Sequence, residues 1–208
     1  MKAVVEVVGL VLAGGTSRRM GRDKARLEVA GIPLAAGAAA RLAAVCPEVV
    51  LADRGRGLVP GRRSVPDGPG QGPAAGLLGA ARAFPGRPLL VLACDLPRVP
   101  VPLLAALAAE LQAGDRPPDW IVPQGREGPE PLCALWGPGA LAALEERVAH
   151  GFYALHPLTA APGLSIRRLD ETWLAAFGDP AEMFLNVNTP QDLERAEGFR
   201  EAVTPEPG

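Results

Sequence analysis

The residues with the most obvious chemical capacity lie early in the chain, in the run Leu12-Ala13-Gly14-Gly15-Thr16-Ser17-Arg18-Arg19-Met20-Gly21-Arg22-Asp23-Lys24. Gly14, Gly15 and Gly21 let backbone N–H groups approach an anion without interference from a Cβ atom. Thr16 and Ser17 add hydroxyl donors, and Arg18, Arg19, Arg22 and Lys24 add positive charge for charge-assisted bonds. This is the chemistry of a phosphate cradle. It is not the P-loop, which needs Gly-Lys, a pair absent from this chain, nor the dinucleotide fingerprint, whose GxGxxG spacing Gly14-Gly15 lacks.

Two further positions complement a bound phosphate. Pro88–Pro97 reads PLLVLACDLP, an apolar run ending in Asp95. Magnesium is held by one or two carboxylates plus phosphate oxygens, so a lone carboxylate beside a phosphate loop is a candidate ligand. Phe184–Pro190 reads FLNVNTP and holds Asn186 and Asn188, the two asparagines of the chain, which alternation puts on one side of an extended segment. Lys24 is one of two lysines among 21 basic residues. Arginine has otherwise displaced lysine, which draws attention to the lysine that persists.

The elements that must position these residues alternate strand with helix. Val7–Ala13, Val49–Ala52 and Leu89–Cys94 read as buried strands, and the Ala-rich stretches Pro33–Val45, Pro73–Phe84 and Pro102–Ala113 as helices opening on proline. Such alternation predicts a mostly parallel sheet covered on both faces, with ligands at the C-terminal ends of its strands. Beyond it, Trp120–Pro123, Leu132–Trp136, Leu164–Leu169 and Met183–Val187 read as strands. Gly139–Leu155 reads as a helix, and so does Pro190–Glu201, capped by Thr189, before a frayed tail at 202–208.

The 208 residues, 48% of them hydrophobic, suit one domain with one substantial core. A net charge of −2 gives no basic field for nucleic acid or an anionic membrane. The run Ala3–Ala13 is too short and too polar to span a membrane and reads better as a first strand than as a secretory signal. Cys46, Cys94 and Cys133 are odd in number and lack CxxC spacing, which fits a reducing cytosol and neither zinc nor a disulfide framework.

In their order, LAGGTSRRMGRDK, CDLP and NVNTP resemble the molybdenum cofactor guanylyltransferases, MobA-like enzymes within the GT-A-like nucleotidyltransferases. The likeness spans Val7 to about Ala196. It implies a three-layer α/β/α Rossmann-like domain with a mostly parallel mixed sheet. It implies transfer of GMP from GTP to the phosphate of molybdopterin, or of its molybdenum-loaded form, with Mg2+ as cofactor and pyrophosphate as the second product. By resemblance the catalytic residues are Lys24, Arg18 or Arg19, and Asp95. The nucleotide would meet Leu12, Ala13, Gly14, Gly15, Lys24 and Asp95. It would also meet Asp67 and Gly72, from Asp67–Gly76, which is similar to the family's D-x-x-x-x-x-GPLAG segment with Ala74 in place of leucine. Asp53, in VVLADR, stands near a base-contacting segment of the family and could accept from guanine N1–H and the 2-amino group. Arg126, Asn186 and Asn188 would line the acceptor pocket. The metal ligand would be Asp95. Glu130 stands where the family has histidine before Pro131, which leaves the acceptor contacts open. The resemblance allows transient contact with molybdenum-insertion or molybdoenzyme proteins, and no nucleic-acid or membrane partner. A cytidylyl or sugar-phosphate nucleotidyltransferase, or a nucleotide-binding protein without activity, would share the same loop. LAGG and Asp23-Lys24, where the cytidylyltransferases carry LAAG and a proline, favour GTP.

Overall fold

A computed structural model describes residues 6–14, 24–113 and 116–197. In chain order its elements begin with β1 (Val8–Leu12), a 3-10 turn at Lys24–Arg26, the hairpin β2 (Glu28–Val29) and β3 (Ile32–Pro33), α1 (Leu34–Ala43), β4 (Glu48–Ala52) and β5 (Arg63–Ser64). There follow α2 (Gly72–Ala83), β6 (Leu89–Ala93), α3 (Val101–Glu110), β7 (Trp120–Gly125), β8 (Gly128–Pro129) and β9 (Cys133–Trp136). The chain closes with α4 (Pro138–Ala149), a 3-10 turn at His156–Ala160, β10 (Ile166–Leu169), and the short helices α5 (Glu171–Leu174), α6 (Pro180–Met183) and α7 (Pro190–Glu197).

The sheet runs β10-β7-β9-β6-β1-β4-β5, with β8 paired to β7. β1 is central and parallel to both β4 and β6, and β9 is antiparallel to β6 and β7. Every residue of β1 and β6 is buried, as their unbroken apolar runs require of strands covered on both faces. Alternation divides their side chains between two cores. Leu90 and Leu92 join Leu42, Leu103 and Leu107 from α1 and α3, while Leu89 and Val91 join Leu77 and Leu144 from α2 and α4. The molecule is therefore a three-layer α/β/α sandwich on a mixed, mostly parallel sheet. Among the described residues no helix is long and apolar enough to cross a membrane.

Two sequence expectations fail. The helix expected over Gly139–Leu155 stops at Ala149, because Gly151 turns left-handed at φ 83° and its N–H closes on the Val148 carbonyl. The strand expected over Met183–Val187 does not form. Asp179 accepts from the Ala181 N–H and starts α6, which consumes Met183, and the rest makes a single sheet-side bond, Val187 N–H to the Asp95 carbonyl at 2.9 Å. Exposure still alternates there: Asn186 and Asn188 face solvent on either side of buried Val187.

Candidate active site

The centre of the site is the pair of strand ends at β1 and β6. The Cys94 N–H donates to the Leu12 carbonyl at 3.1 Å, so the loops that follow these strands leave the sheet side by side. Asp95 comes next. Its loop is fixed from below by Arg41 of α1, whose guanidinium donates to the carbonyls of Leu96, Pro97 and Val99. Lys24 returns from the first loop on the 3-10 turn, anchored by Ala25, which is buried in the α1 core. Its Nζ lies 2.6 Å from Asp95 Oδ2 and 2.7 Å from Asn188 Oδ1. Asp95 Oδ1 is buried and has no hydrogen-bond partner among the described residues. A buried carboxylate oxygen without a donor is costly, and a cation supplies what the protein does not.

A cleft of about 200 Å³ opens beside this pair, bordered by Leu12, Gly14, Lys24, Asp67, Gly72 and Asp95 among others. Its far wall is the start of α2. Gly76 allows the helix that close: a Cβ there would stand 2.8 Å from Leu12 Cδ2 and 2.9 Å from Ala52 Cβ. A helix N-terminus facing a cavity offers free N–H groups to an anion. Asp67 accepts from Arg54 Nε at 3.2 Å across the rim. Ala13 is buried behind the cleft, its N–H on the Ala52 carbonyl and its own carbonyl on the Arg56 guanidinium. Gly15, Arg18 and Arg19 lie outside the described residues.

Asp53 departs from its expected place on the nucleotide. It is fully buried and absent from the cleft lining. Its Oδ1 accepts from the Gly55 N–H at 3.1 Å and its Oδ2 from the Leu58 N–H at 3.0 Å. Burial raises its pKa, but the Leu58 bond, the Ser64 hydroxyl, the Gly55 bond and nearby Arg56 together outweigh that and hold it below the usual carboxylate range. Fully buried and tied into its own turn, it shapes the loop that carries Arg54 and Arg56 and does not reach the cleft.

Arg126, Asn186 and Asn188 border a second, wider cleft of about 450 Å³, with Glu130, Phe184 and Arg195. Asn188 joins the two cavities, since it lines the second while its side-chain oxygen reaches Lys24, which lines the first. Asp192 caps the start of α7 by accepting from the N–H groups of Asn188 and Thr189, and Thr189 Oγ1 accepts from the Asp192 N–H. These bonds hold the Asp192 carboxyl below its ordinary range. Burial, then the charge of Glu127, pushes Glu130 up to about 7. The cysteines are free and buried. Burial drives the Cys46 thiol up to about 11 and, with Glu130 adding to burial, raises Cys133 as well, so neither is a nucleophile. His150 ends α4 and His156 begins a 3-10 turn, both exposed and remote from these cavities.

A Rossmann-like sandwich with an anion-accepting cleft and a lysine–aspartate pair at adjoining strand ends defines the nucleotidyltransferase class. Within that class the chain belongs to the MobA-like NTP transferase family, whose domain matches residues 9–160. It is 36% identical over 201 residues to a probable molybdenum cofactor guanylyltransferase of Pelotomaculum thermopropionicum, covering 93% of each chain. It is 30% identical over 203 residues to the molybdenum cofactor guanylyltransferase of Shewanella amazonensis, covering 92% of this chain and 95% of that one. The crystal structure of molybdopterin-guanine dinucleotide biosynthesis protein A from Archaeoglobus fulgidus superposes with a TM-score of 0.77 at 27% identity, over 91% of this chain and 96% of that one.

Proposed function

We propose that this chain transfers GMP from GTP to the phosphate of molybdopterin, releasing pyrophosphate and forming the guanine dinucleotide cofactor. The observation that carries the reading is the Lys24–Asp95 contact of 2.6 Å at the point where the two clefts adjoin. The first cleft takes the nucleotide, with Leu12, Gly14, Asp67 and Gly72 around it, Ala13 behind it, and Gly15 next in the chain to offer its N–H. The second takes the acceptor against Arg126, Asn186 and Asn188. The family and the activities named for its relatives support both assignments.

The acceptor's phosphate monoester is largely ionised near neutral pH, so no strong general base is needed. Catalysis then rests on alignment and on neutralising charge at the α-phosphate and the departing pyrophosphate. Lys24 is poised for that: it sits on two oxygens that hold its ammonium in the cleft until a triphosphate offers more charge. Arg18 and Arg19 of the same loop share the task. Asp95, through its partnerless Oδ1, would hold Mg2+, which supplies charge neutralisation on the phosphates when bound. No cluster of three His, Cys, Asp or Glu side chains occurs among the described residues. That suits an ion which takes one or two carboxylates and completes its shell with phosphate and water. We place the protein in the cytosol, where GTP is abundant and its free thiols persist.

Pyrophosphate release with GTP or CTP, each with and without molybdopterin, tests the assignment. Release only with GTP and molybdopterin together is the expected result. Release with CTP makes the chain a cytidylyltransferase, and tight nucleotide binding with no release under any condition makes it a regulator.

A further inference from the structure

The second cleft contains an acid that the proposed transfer does not use. Glu130 lies at the foot of the β7–β8 hairpin, its N–H on the Pro123 carbonyl and its carbonyl on the Cys133 N–H. Its carboxyl makes no hydrogen bond or ion pair with any described residue, although Arg126 borders the same cavity. The chain makes room for it. A Cβ at Gly125 would meet Glu130 Oε1 at 2.7 Å and Phe184 at 3.3 Å, so the missing side chain at 125 lets the carboxyl lie against the strand beside an aromatic edge. A carboxyl that is half-buried and partnerless, yet accommodated by a glycine, is built to meet something that enters.

We propose that Glu130 is a specificity-determining residue that reads the acceptor's ring by accepting two hydrogen bonds from a ring N–H and the adjacent exocyclic amine of a 2-amino-4-oxopyrimidine edge. The two donors of that edge point the same way and match the two oxygens of a carboxylate, as a guanidinium does in a bidentate pair. The reading rests on the assignment of a pterin acceptor to this cleft and goes beyond it by naming the atom group that selects the ring. Burial and Glu127 disfavour the ionised carboxyl in the empty cleft, and two ring donors would offset that penalty. The neighbouring charges, all bordering the same cavity, are exposed Arg126, Glu127 and Arg195 and half-buried Asp192, whose carboxyl caps α7. Guanine carries the same edge. The 450 Å³ cleft is separate from the one beside Lys24 that takes the nucleotide, so the experiment must distinguish the two rings.

The test is a fluorescence titration of the full chain with 6-hydroxymethylpterin and with the matching lumazine, which has a carbonyl in place of the 2-amino group. The wild type is expected to prefer the pterin by about tenfold or more, the scale of a charge-assisted pair lost. Glu130→Gln should lose that preference while GTP affinity, read by calorimetry, stays unchanged. A preference near unity in the wild type, which needs no variant to fold, overturns the assignment. So does a Glu130→Gln chain that still discriminates, or one whose loss falls on GTP instead. If pterin discrimination holds but no GMP transfer occurs, the proposed reaction fails and the ring-reading site stands.

Discussion

On the nucleotide side, the charged side chains that border the cleft among the described residues are already matched: Lys24 with Asp95, and Arg54 with Asp67. Buried Asp53 is matched within its own turn. On the acceptor side, Arg126, Glu127 and Glu130 find no ion pair among the described residues. The first cavity is cut into the ends of central strands, where both cores fix the backbone. The second is framed by a hairpin, two short helices and an extended segment held by one sheet-side bond. A site that must receive a triphosphate is preassembled, with internal partners standing in for the ligand. The site facing it leaves Arg126, Glu127 and Glu130 for the acceptor to complete, while Asn188, Asp192 and Arg195 are engaged within the chain.

The comparison can be broken at its strongest point first. Lys24→Ala should lower turnover, measured as pyrophosphate release, by about a hundredfold or more, the scale of one lost charge-stabilising donor. Its melting should fall modestly, because Asp95 loses its ion-pair partner, while circular dichroism should show the fold intact. A near-wild-type rate removes Lys24 from the mechanism. Asp53→Ala should act the opposite way. Two N–H groups lose their acceptor in a buried turn, and urea titration should show a loss of about 2–3 kcal/mol. Unchanged stability with a selective loss of guanine affinity would instead return Asp53 to the base. Gly79→Ala probes the α2 wall. A Cβ there falls on the Pro66 carbonyl where the chain crosses toward Asp67, and overpacking of this kind costs about 1–3 kcal/mol.

The smallest effect should come from the acceptor side, where Glu130 links stability to pH. Its pKa, pushed up to about 7, lies above the ordinary glutamate value of 4.5, so the folded chain holds this proton more tightly than the unfolded one. The stability it contributes is fully present below 4.5 and is lost as pH rises through 7. Discounted for partial solvent screening, the loss is about 1 kcal/mol, and Glu130→Gln should flatten the stability profile across that window. An identical profile in the variant means that the carboxyl is solvated and the cleft is less selective than its geometry indicates.

How far the sequence could be read follows the same division. β1, β4 and β6 were legible because strands buried on both faces leave unbroken apolar runs, and the residues just past them, Gly14 and Asp95, inherit their place from the sheet. Thr189 was legible as a cap because the side chain acts locally. Asp53 was misplaced because its role depends on a turn closed by Gly55 and Leu58, which no periodicity announces. The segment around Asn186 was read as a strand from its alternation, and the alternation is real, but Asp179 and Pro180 start a helix inside the expected span. Arg41 went unnoticed. Its sequence neighbourhood is an Ala-rich helix, and its partners, the carbonyls of the loop after Asp95, lie more than fifty positions away. A persistent arginine within an otherwise apolar helix face was the available signal. Glu130 was visible as a departure from the family, but only the cavity and the glycine beneath it show what that departure offers.

Transfer of the α-phosphate label of GTP to molybdopterin, followed in wild type and Asp95→Ala with Mg2+ present, bears most directly on the claim that the two clefts share one reacting centre. The account predicts that label moves into a pterin dinucleotide in the wild type. In the variant that transfer should fall by about a hundredfold or more while the chain remains folded. Label that stays in GTP or appears only as free GMP in the wild type, or that moves equally well without Asp95, would contradict it.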